Sequence, residues 1–344
     1  MKRIGFGIVG SGAASRLHLE ALSNTENACA MGLYSSDTEG ASRLASEFGI
    51  RCFSSPEELL RCEEINVVNI CTPSGTHASL AIQALKAGKH VMVEKPLALT
   101  AEDARAVADV AAENNRLCAV FAQLRCFESV QRVRDAIRDG KLGRVVMVSL
   151  SMKYRRSARY YAESSWRGTW AMDGGVLMNQ GIHGVDLLRY LVGEVKAVSA
   201  ISKTLVHKIE ADDTTAAVLE FENGAVGTLE GTTSVTPGYS RILEINGSQG
   251  SVRLEENEIV RWDVEGESLS EVSTGLGLQM NGAHDPNGIS CLGHILQIEN
   301  MALAVQGKAE LINDAESGSQ TVKLISTIYR SAQTGERLAV LNDT

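Results

Sequence analysis

The stretch Gly7-Ile8-Val9-Gly10-Ser11-Gly12-Ala13-Ala14-Ser15 joins an apolar run to a helix-forming segment through a glycine loop. Gly10 permits a tight turn, and Gly12 lets the backbone approach a pyrophosphate closely. The helix that follows offers the unpaired N–H groups of its first turn to phosphate oxygens. Because the loop opens a strand–helix–strand pattern, it predicts a dinucleotide-binding domain built on a doubly wound parallel sheet.

A second motif, Glu94-Lys95-Pro96, follows the apolar run from His90 to Val93, about eighty residues after the glycine loop. Ligands of open α/β sheets bind outside the carboxyl ends of the parallel strands. We therefore expect Lys95 to lie beside the ligand that the glycine loop binds.

The composition excludes several classes of protein. At 344 residues and 44% hydrophobic content, the chain is long enough for two domains with full cores. The net charge of −9 is spread without runs, which argues against a nucleic-acid partner. No apolar stretch reaches the length of a membrane span, so no membrane association is expected. The seven cysteines are scattered, which favours reduced thiols in a cytoplasmic protein, and the scattered histidines predict no metal site.

Two domains are predicted. Strands and helices alternate over residues 1–123, which indicates a Rossmann domain of the α/β class. From residue 124 to 344 strands dominate, and Glu222-Asn223-Gly224 between two of them indicates a hairpin. This part is predicted to be an α+β domain with a mostly antiparallel, open-faced sheet and helices on one face. Its strands carry apolar residues on both sides, as in Val218 and Leu219, so we expect the uncovered face to form a homodimer or homotetramer.

The end of the second strand bears on the choice of cofactor. An acid is expected there to bind the adenine ribose, but the chain has Ser35 and Ser36, followed by Asp37. A hydroxyl leaves room for a 2′-phosphate, which slightly favours NADP(H). Asp37 could still reach the ribose, which would favour NAD(H).

A later helix carries Asn179, His183 and Asp186 at spacings of four and three, so the three form one stripe. The rest of that helix is apolar. Such a stripe is either a solvated face or the wall of a cleft, and periodicity alone favours neither.

The chain resembles the Gfo/Idh/MocA family of oxidoreductases. The resemblance spans the whole chain, and the matching stretches are residues 7–12, Cys71-Thr72-Pro73-Ser74-Gly75-Thr76-His77, residues 87–98, Gly181-Ile182-His183-Gly184-Val185-Asp186-Leu187-Leu188 and residues 329–335. It implies hydride transfer between a nicotinamide and a hydroxyl or keto carbon of a sugar, cyclitol or nucleotide sugar.

The resemblance also implies roles for individual residues. Similar enzymes use the lysine and the histidine as proton carriers, with an aspartate one turn earlier, where this chain has Asn179. That departure weakens an assignment to the inositol dehydrogenases and moves proton transfer toward Lys95. The predicted catalytic residues are Lys95, His183, Asn179 and Asp186. The predicted cofactor-binding residues are Gly10, Gly12, Ala13, Ala14, Ser35, Ser36, Asp37, Thr72, Pro73, His77, Glu94, Lys95 and Gln123.

The stretch Ser165-Trp166-Arg167-Gly168-Thr169-Trp170 is similar to nucleotide-sugar 3-dehydrogenases of this family. The predicted substrate-binding residues are Arg125, Tyr154, Trp166, Arg167 and Gln180. Core packing is the alternative for the tryptophans, and pairing with a local acid is the alternative for Arg125. Two other functions compete: a nicotinamide-dependent glycosidase that acts by transient oxidation at C3, and a cofactor-binding sensor without turnover.

Overall fold

The protein divides into two compact units in the computed structural model, which describes residues 3–272 and 291–340. The first unit comprises Met1–Gln123 and Cys291–Val322, and the second comprises Leu124–Ser290 and Lys323–Thr344. Within the described residues, none of the helices has the length and apolar composition needed to cross a membrane.

The first unit is built on a six-stranded sheet. Its strands are β1 (Ile4–Val9), β2 (Ala28–Tyr34), β3 (Arg51–Cys52), β4 (Val67–Ile70), β5 (His90–Val93) and β6 (Cys118–Val120). All neighbouring pairs are parallel, in the order β3-β2-β1-β4-β5-β6, which is the strand order of dinucleotide-binding Rossmann folds. The intervening helices are α1 (Ala13–Ser23), α2 (Thr38–Phe48), α3 (Pro56–Arg61), α4 (His77–Lys86) and α5 (Ala101–Glu113).

Local sequence explains where these helices begin. The Asp37 carboxylate accepts the Gly40 N–H at the start of α2, and the Thr100 hydroxyl accepts the Asp103 N–H at the start of α5. Each side chain satisfies a backbone donor that the first helical turn leaves unpaired, which typically stabilises a helix by about 1 kcal/mol.

The second unit is built on an eight-stranded sheet. Its strands are β7 (Val145–Lys153), β8 (Val195–Lys203), β9 (Thr214–Phe221), β10 (Val226–Thr232), β11 (Ile242–Gly247), β12 (Gly250–Glu255), β13 (Glu258–Val264) and β14 (Leu338–Ala339). The order is β13-β12-β11-β7-β10-β9-β8-β14, and only β7 and β10 pair in parallel. The helices of this part are α6 (Glu128–Arg138), α7 (Ala158–Ala162), α8 (Ile182–Val192) and α9 (Leu269–Val272). The predicted fold class is confirmed for both units.

The hairpin predicted at Asn223-Gly224 joins β9 to β10. Gly224 has a φ of +84°, in the left-handed region that glycine adopts without a steric penalty. The Phe221 N–H donates to the Ala225 carbonyl at 2.9 Å, which closes the turn.

The structure differs from the predicted domain division in one segment. Residues 291–322 were assigned to the second domain, but helix α10 (Leu292–Val305) packs in the first unit. Its Ile298 and Met301 are fully buried in the core that contains Phe6 and Leu19. The Gln297 amide completes the pairing of β6, since its Nε2 donates to the Val120 carbonyl at 2.6 Å. Sequence order could not reveal this return of the chain to the first sheet. The last helix, α11 (Ala315–Thr334), contains the point where the two units divide.

Candidate active site

The glycine loop lies at the carboxyl end of β1 and fits a pyrophosphate. Gly10 has a φ of +122°, and a Cβ there would lie 2.5 Å from the Cys71 carbonyl oxygen, so only glycine is accommodated. A Cβ on Gly12 would meet no atom within 4 Å, so the backbone is open to a ligand at this point. Gly12 caps α1 without a side-chain hydrogen bond, and the first turn contains no acid. The N–H groups of Ala13 and Ala14 therefore present a site for phosphate oxygens.

Ser11, Ser35 and Asp37 form a polar cluster where β1 and β2 end. The Ser11 hydroxyl lies 3.0 Å from Ser35 Oγ and 3.1 Å from Asp37 Oδ2. Hydrogen bonds from the Gly40 N–H and from Ser11 lower the pKa of Asp37. The cluster thus carries a negative charge at the edge where a dinucleotide fold binds the adenine ribose. Ser36 is exposed beside it.

His77 connects the loops that follow β4 and β5. Its Nδ1 lies 2.6 Å from the Pro96 carbonyl oxygen, and its Nε2 lies 2.8 Å from the Thr72 carbonyl oxygen. The ring is buried, and burial lowers its pKa against the opposing effect of these carbonyls. His77 is predicted to bind the cofactor. In the structure both ring nitrogens face backbone carbonyl oxygens, one on each loop. These two contacts hold the loop that contains Thr72 and Pro73 in position relative to the loop that contains Lys95.

The Glu-Lys-Pro motif follows β5, as the sequence predicts. Glu94 Oε2 accepts the Lys95 backbone N–H at 3.1 Å, while Glu94 Oε1 lies 2.8 Å from His18 Nε2.

Gln123 is buried, and its Oε1 has no hydrogen-bond partner among the described residues. A buried amide oxygen without a partner can accept a hydrogen bond from a ligand, for example from the NH₂ of a carboxamide group.

In the second unit, two predicted site residues pair with each other. Arg125 donates from Nε and Nη2 to the two carboxylate oxygens of Asp186, at 2.8 and 2.6 Å. Both side chains are buried. Asp186 is predicted to be catalytic and Arg125 to bind substrate, and the structure pairs the two side chains with each other. This pairing matches the alternative that Arg125 pairs with a local acid.

The predicted stripe of Asn179, His183 and Asp186 is interrupted. A π-helical turn over Leu177–Gly181 precedes α8, so the residues before and after it do not follow one α-helical period. Asn179 and His183 are half-buried, whereas Asp186 is buried. The Asn179 amide donates to Asp173, whose other carboxylate oxygen accepts the Gly168 N–H at 2.7 Å.

The structure brings four of the five predicted substrate-binding residues together in one cluster of the second unit. Their proximity could not be read from the sequence. Arg156 is at the centre of the cluster, donating from Nη2 to Gln180 Oε1 at 2.7 Å. Gln180 donates in turn to the Tyr160 hydroxyl at 2.7 Å. Cation–π contacts add to these, formed by Arg156 with Tyr154 and Tyr160 and by Arg167 with Tyr160 and Trp166. Arg156 and Tyr160 were missed, although Arg155-Arg156 and Tyr160-Tyr161 were visible as paired residues near the end of β7.

This cluster borders a cavity of about 950 Å³ within the second unit. Its charged lining residues are Arg155, Arg156, Arg167, Lys208 and Glu210. Among the described lining residues four cations face one carboxylate, and Glu163 adds a second carboxylate 3.5 Å from Arg167, so the net potential is still positive. The volume is typical of a small-molecule site. The cavity is therefore suited to an anionic ligand.

Comparison with known proteins decides the family. Residues 4–122 match the oxidoreductase family with an NAD-binding Rossmann fold, and residues 130–253 match the GFO/IDH/MocA C-terminal domain. The chain belongs to the GFO/IDH/MocA oxidoreductase family.

Similar proteins match over almost the full length of this GFO/IDH/MocA oxidoreductase. The WlbA dehydrogenase of Bordetella pertussis, solved in complex with NADH and UDP-GlcNAcA, superposes with a TM-score of 0.89 at 32% identity, covering 99% of this chain and 100% of that one. Inositol 2-dehydrogenase of Rhizobium meliloti is 26% identical over 97% of this chain and 98% of its own. D-glucoside 3-dehydrogenase of Escherichia coli is 28% identical over 96% of each. The predicted family and enzyme class are confirmed: the protein is a nicotinamide-dependent dehydrogenase.

Proposed function

We propose that this GFO/IDH/MocA oxidoreductase interconverts a hydroxyl and a keto carbon on an anionic, nucleotide-linked sugar. The observation that carries the proposal is the basic cavity of the second unit. A neutral sugar or a cyclitol offers no charge to Arg156, Arg167 and Lys208, whereas a diphosphate or a uronate does. UDP-GlcNAcA, the ligand of the similar WlbA dehydrogenase, carries both kinds of group.

Arg167, one of the three arginines at the cavity, is held in place for this task. Arg167 Nη1 donates to the Tyr160 carbonyl at 2.7 Å, and its guanidinium stacks 4.1 Å from the Tyr160 ring. Its Nε is buried and has no hydrogen-bond partner among the described residues. Stacking on an aromatic ring pre-organises a guanidinium, so little side-chain entropy is lost when an anion binds.

We assign proton transfer to Lys95 and His183. When bound, the nicotinamide supplies the hydride acceptor for oxidation of the alcohol, or the hydride donor for reduction of the ketone. The hydroxyl proton must leave as the hydride leaves, and we assign its acceptance to Lys95. His183, half-buried on α8, is the second proton carrier that the family resemblance implies. Asn179 is assigned a hydrogen bond to a substrate hydroxyl, since its amide cannot accept a proton at neutral pH.

We propose that NAD(H) is preferred over NADP(H), although Ser35 slightly favours NADP(H) in the sequence. The supporting observation is the ionised Asp37 carboxylate, 3.1 Å from the glycine-loop hydroxyl of Ser11. A carboxylate accepts a hydrogen bond from a ribose 2′-hydroxyl and repels a 2′-phosphate.

We propose that the protein is a homodimer or homotetramer assembled through the outer face of the second sheet. Met147 and Val226 are direct neighbours on β7 and β10, and Val218 and Ile201 continue the same face on β9 and β8. These four side chains are 46% to 67% exposed, whereas Leu219 and Phe221 on the opposite face are buried. Light scattering at micromolar concentration should give a multiple of 36.9 kDa, and a monomer mass would refute the proposal.

A substrate panel tests the proposed function. UDP-linked uronic acids, neutral UDP-sugars, free sugars and cyclitols would each be assayed with NAD⁺ and NADP⁺ at 340 nm. We expect the anionic nucleotide sugars to give the highest kcat/KM. Arg167→Gln should raise KM for them by about 30-fold or more, because it removes a cationic partner of the ligand at the cavity wall. Arg138→Gln is the matched control, because Arg138 is 69% exposed on α6 and pairs with Asp135 and Asp139, away from the cavity.

The outcomes separate the alternatives. Turnover of neutral sugars alone, unaffected by Arg167→Gln, would contradict the substrate class and leave the dehydrogenase chemistry intact. Cleavage of a glycosidic bond without net absorbance change at 340 nm would instead support the transient-oxidation glycosidase. Cofactor binding without turnover of any panel member would support the sensor.

A further inference from the structure

Three titratable side chains meet inside the first unit at the carboxyl end of β5. His18 of α1 and His294 of α10 both direct Nε2 toward the same oxygen, Glu94 Oε1, at 2.8 and 3.5 Å. The two histidine side chains are 0% and 4% exposed, and that of Glu94 is 14% exposed. The cluster combines residues from three distant parts of the chain, and none of the assigned catalytic steps uses it.

The hydrogen bonds fix the charge state of this cluster. Asn69 Nδ2 lies 3.0 Å from His18 Nδ1, and an amide nitrogen can only donate. His18 Nδ1 is therefore the acceptor, and the proton of the neutral ring is on Nε2, from which it is donated to Glu94. Burial by itself would raise the pKa of Glu94, but the hydrogen bonds from His18 and His294 outweigh it and hold the pKa well below its ordinary value. Burial lowers the pKa of His18, so its ring stays neutral.

The surroundings of the cluster leave this negative charge weakly screened. The Phe121 ring lies 4.4 Å from the His18 ring and 5.2 Å from the His294 ring, measured between centroids. Electrostatic interactions act over longer distances in such apolar surroundings than in water. The second oxygen of Glu94 accepts the Lys95 backbone N–H, which fixes the carboxylate relative to the end of the strand.

The strand order places the carboxylate in the half of the sheet that binds the nicotinamide. In this fold the dinucleotide lies across the switch point between β1 and β4, and the glycine loop with the end of β2 binds the adenosine half. Glu94 ends β5, on the other side of the switch point. The nicotinamide ring is positively charged when oxidised and neutral when reduced.

We propose that Glu94, held as a buried carboxylate by His18 and His294, makes the protein bind the oxidised dinucleotide selectively over the reduced one. Glu94 is thus a specificity-determining residue for the oxidation state of the cofactor, and the two histidines are positioning residues. The inference rests on the family assignment and is independent of the proposed substrate.

Glu94→Gln tests the inference because it removes the charge and keeps the shape. The network can reverse its polarity: a glutamine Nε2 would donate to His18, and rotation of the Asn69 amide would bring its Oδ1 to accept from His18 Nδ1. Asn69 Oδ1 has no partner among the described residues, so the rotation breaks no hydrogen bond apart from the one to His18 that it replaces. By calorimetry, we expect the Kd for NAD⁺ to rise about tenfold, or about 1.4 kcal/mol, and that for NADH to change less than about twofold. His90→Asn, at the other end of β5, is the control and should leave both values unchanged.

Two results with the Glu94→Gln variant would overturn the inference. Equal weakening of NAD⁺ binding and NADH binding would show that Glu94 is a purely structural residue. Unchanged affinities would show that its charge does not matter for binding.

If Glu94→Gln fails to fold, His294→Phe replaces it, since the phenyl ring keeps the stacking on Phe121 and removes one donor to the carboxylate. This variant should weaken NAD⁺ binding alone, by about threefold, and an unchanged NAD⁺ to NADH ratio would refute the proposal. A stoichiometric metal ion in the purified protein, bound by the same three residues, would refute it as well, because the donor atoms lie within 4.8 Å of one another.

Discussion

Arg125 and Asp186 form a two-pronged salt bridge inside the second unit, in which each carboxylate oxygen accepts from one guanidinium nitrogen. The guanidinium also stacks on the Tyr190 ring, with its carbon 4.6 Å from the ring centroid. The pair connects the segment before α6 to α8, the helix that carries His183. We therefore expect the pair to hold that helix in place.

Asp186→Asn should destabilise the protein strongly without a specific effect on chemistry. Removing one partner of a buried ion pair typically costs about 3 to 5 kcal/mol. For a protein of this size, we expect the Tm to fall by on the order of 10 °C. Glu128→Gln, which breaks the exposed pair of Glu128 with Arg132, should change the Tm by about 2 °C at most. If Asp186→Asn keeps its Tm but loses kcat at a temperature where it is folded, Asp186 is catalytic after all.

The parts of the site that the sequence predicted are those encoded by continuous motifs. The glycine loop and the Glu-Lys-Pro motif each lie at the end of a short apolar strand, and the strand period positions them at one edge of the sheet. The order of helices and strands then determines the Rossmann topology. Local pattern is sufficient for these features because their geometry depends on neighbouring residues alone.

The features that were not predicted depend on contacts between distant segments. His294 reaches Glu94 only because α10 returns to the first unit, across 200 positions of sequence. Arg156 meets Gln180 because β7 and the π-helical turn lie side by side in the second unit. The spacing of Asn179 and Asp186 predicted a single stripe, and a π-helical turn, which has no local sequence signature, changed the phase between them.

Asp37→Asn should shift the cofactor preference toward NADP(H). Asparagine is as good a helix cap as aspartate, so the hydrogen bond from the Gly40 N–H at the start of α2 is retained. The charge that repels a 2′-phosphate is lost. We expect the ratio of Kd for NADP⁺ to Kd for NAD⁺ to fall by about tenfold in calorimetry, and Ser35→Asp to raise it. A strong preference for NADP⁺ in the unmodified protein would contradict the role of Asp37 and restore the prediction from Ser35.

Stability should decrease as the pH falls below about 6.5, the ordinary pKa of histidine. Burial lowers the pKa of His18 and of His77 in the folded protein. The unfolded chain therefore takes up protons below about pH 6.5 that the folded protein does not, and the stabilisation present above that pH is lost.

The His77→Gln variant isolates this effect. A glutamine carries no titratable group, and its NH₂ can donate to a carbonyl that the ring faces. Thermal unfolding at pH 7.5 and 5.5 should show a smaller loss of Tm on acidification than in the unmodified protein. An identical pH dependence in the two proteins would mean that folding does not lower the pKa of His77.

Lys95→Met should abolish most turnover while leaving the cofactor bound. Methionine keeps the bulk of the side chain and removes the proton acceptor, so kcat should fall by about 100-fold or more, the usual contribution of a general acid–base. Phosphate binding at the glycine loop is retained, so the Kd for NAD(H) should change by less than about tenfold. Lys89→Met is the matched control, because Lys89 donates to the Cys62 and Ile65 carbonyls before β5 begins. Its kcat should be near normal.

His183→Ala completes the assignment of the proton carriers. The glycine loop belongs to the first unit and His183 to α8 of the second, so we expect slower turnover with an unchanged Kd for NAD(H). A pH profile of kcat distinguishes the two residues: the variant that removes the general base should lose the acidic limb of the profile. Should Lys95→Met turn over a substrate from the panel at a near-normal rate, Lys95 only packs against the cofactor. The acidic limb must then disappear in His183→Ala, and the proton passes through the imidazole.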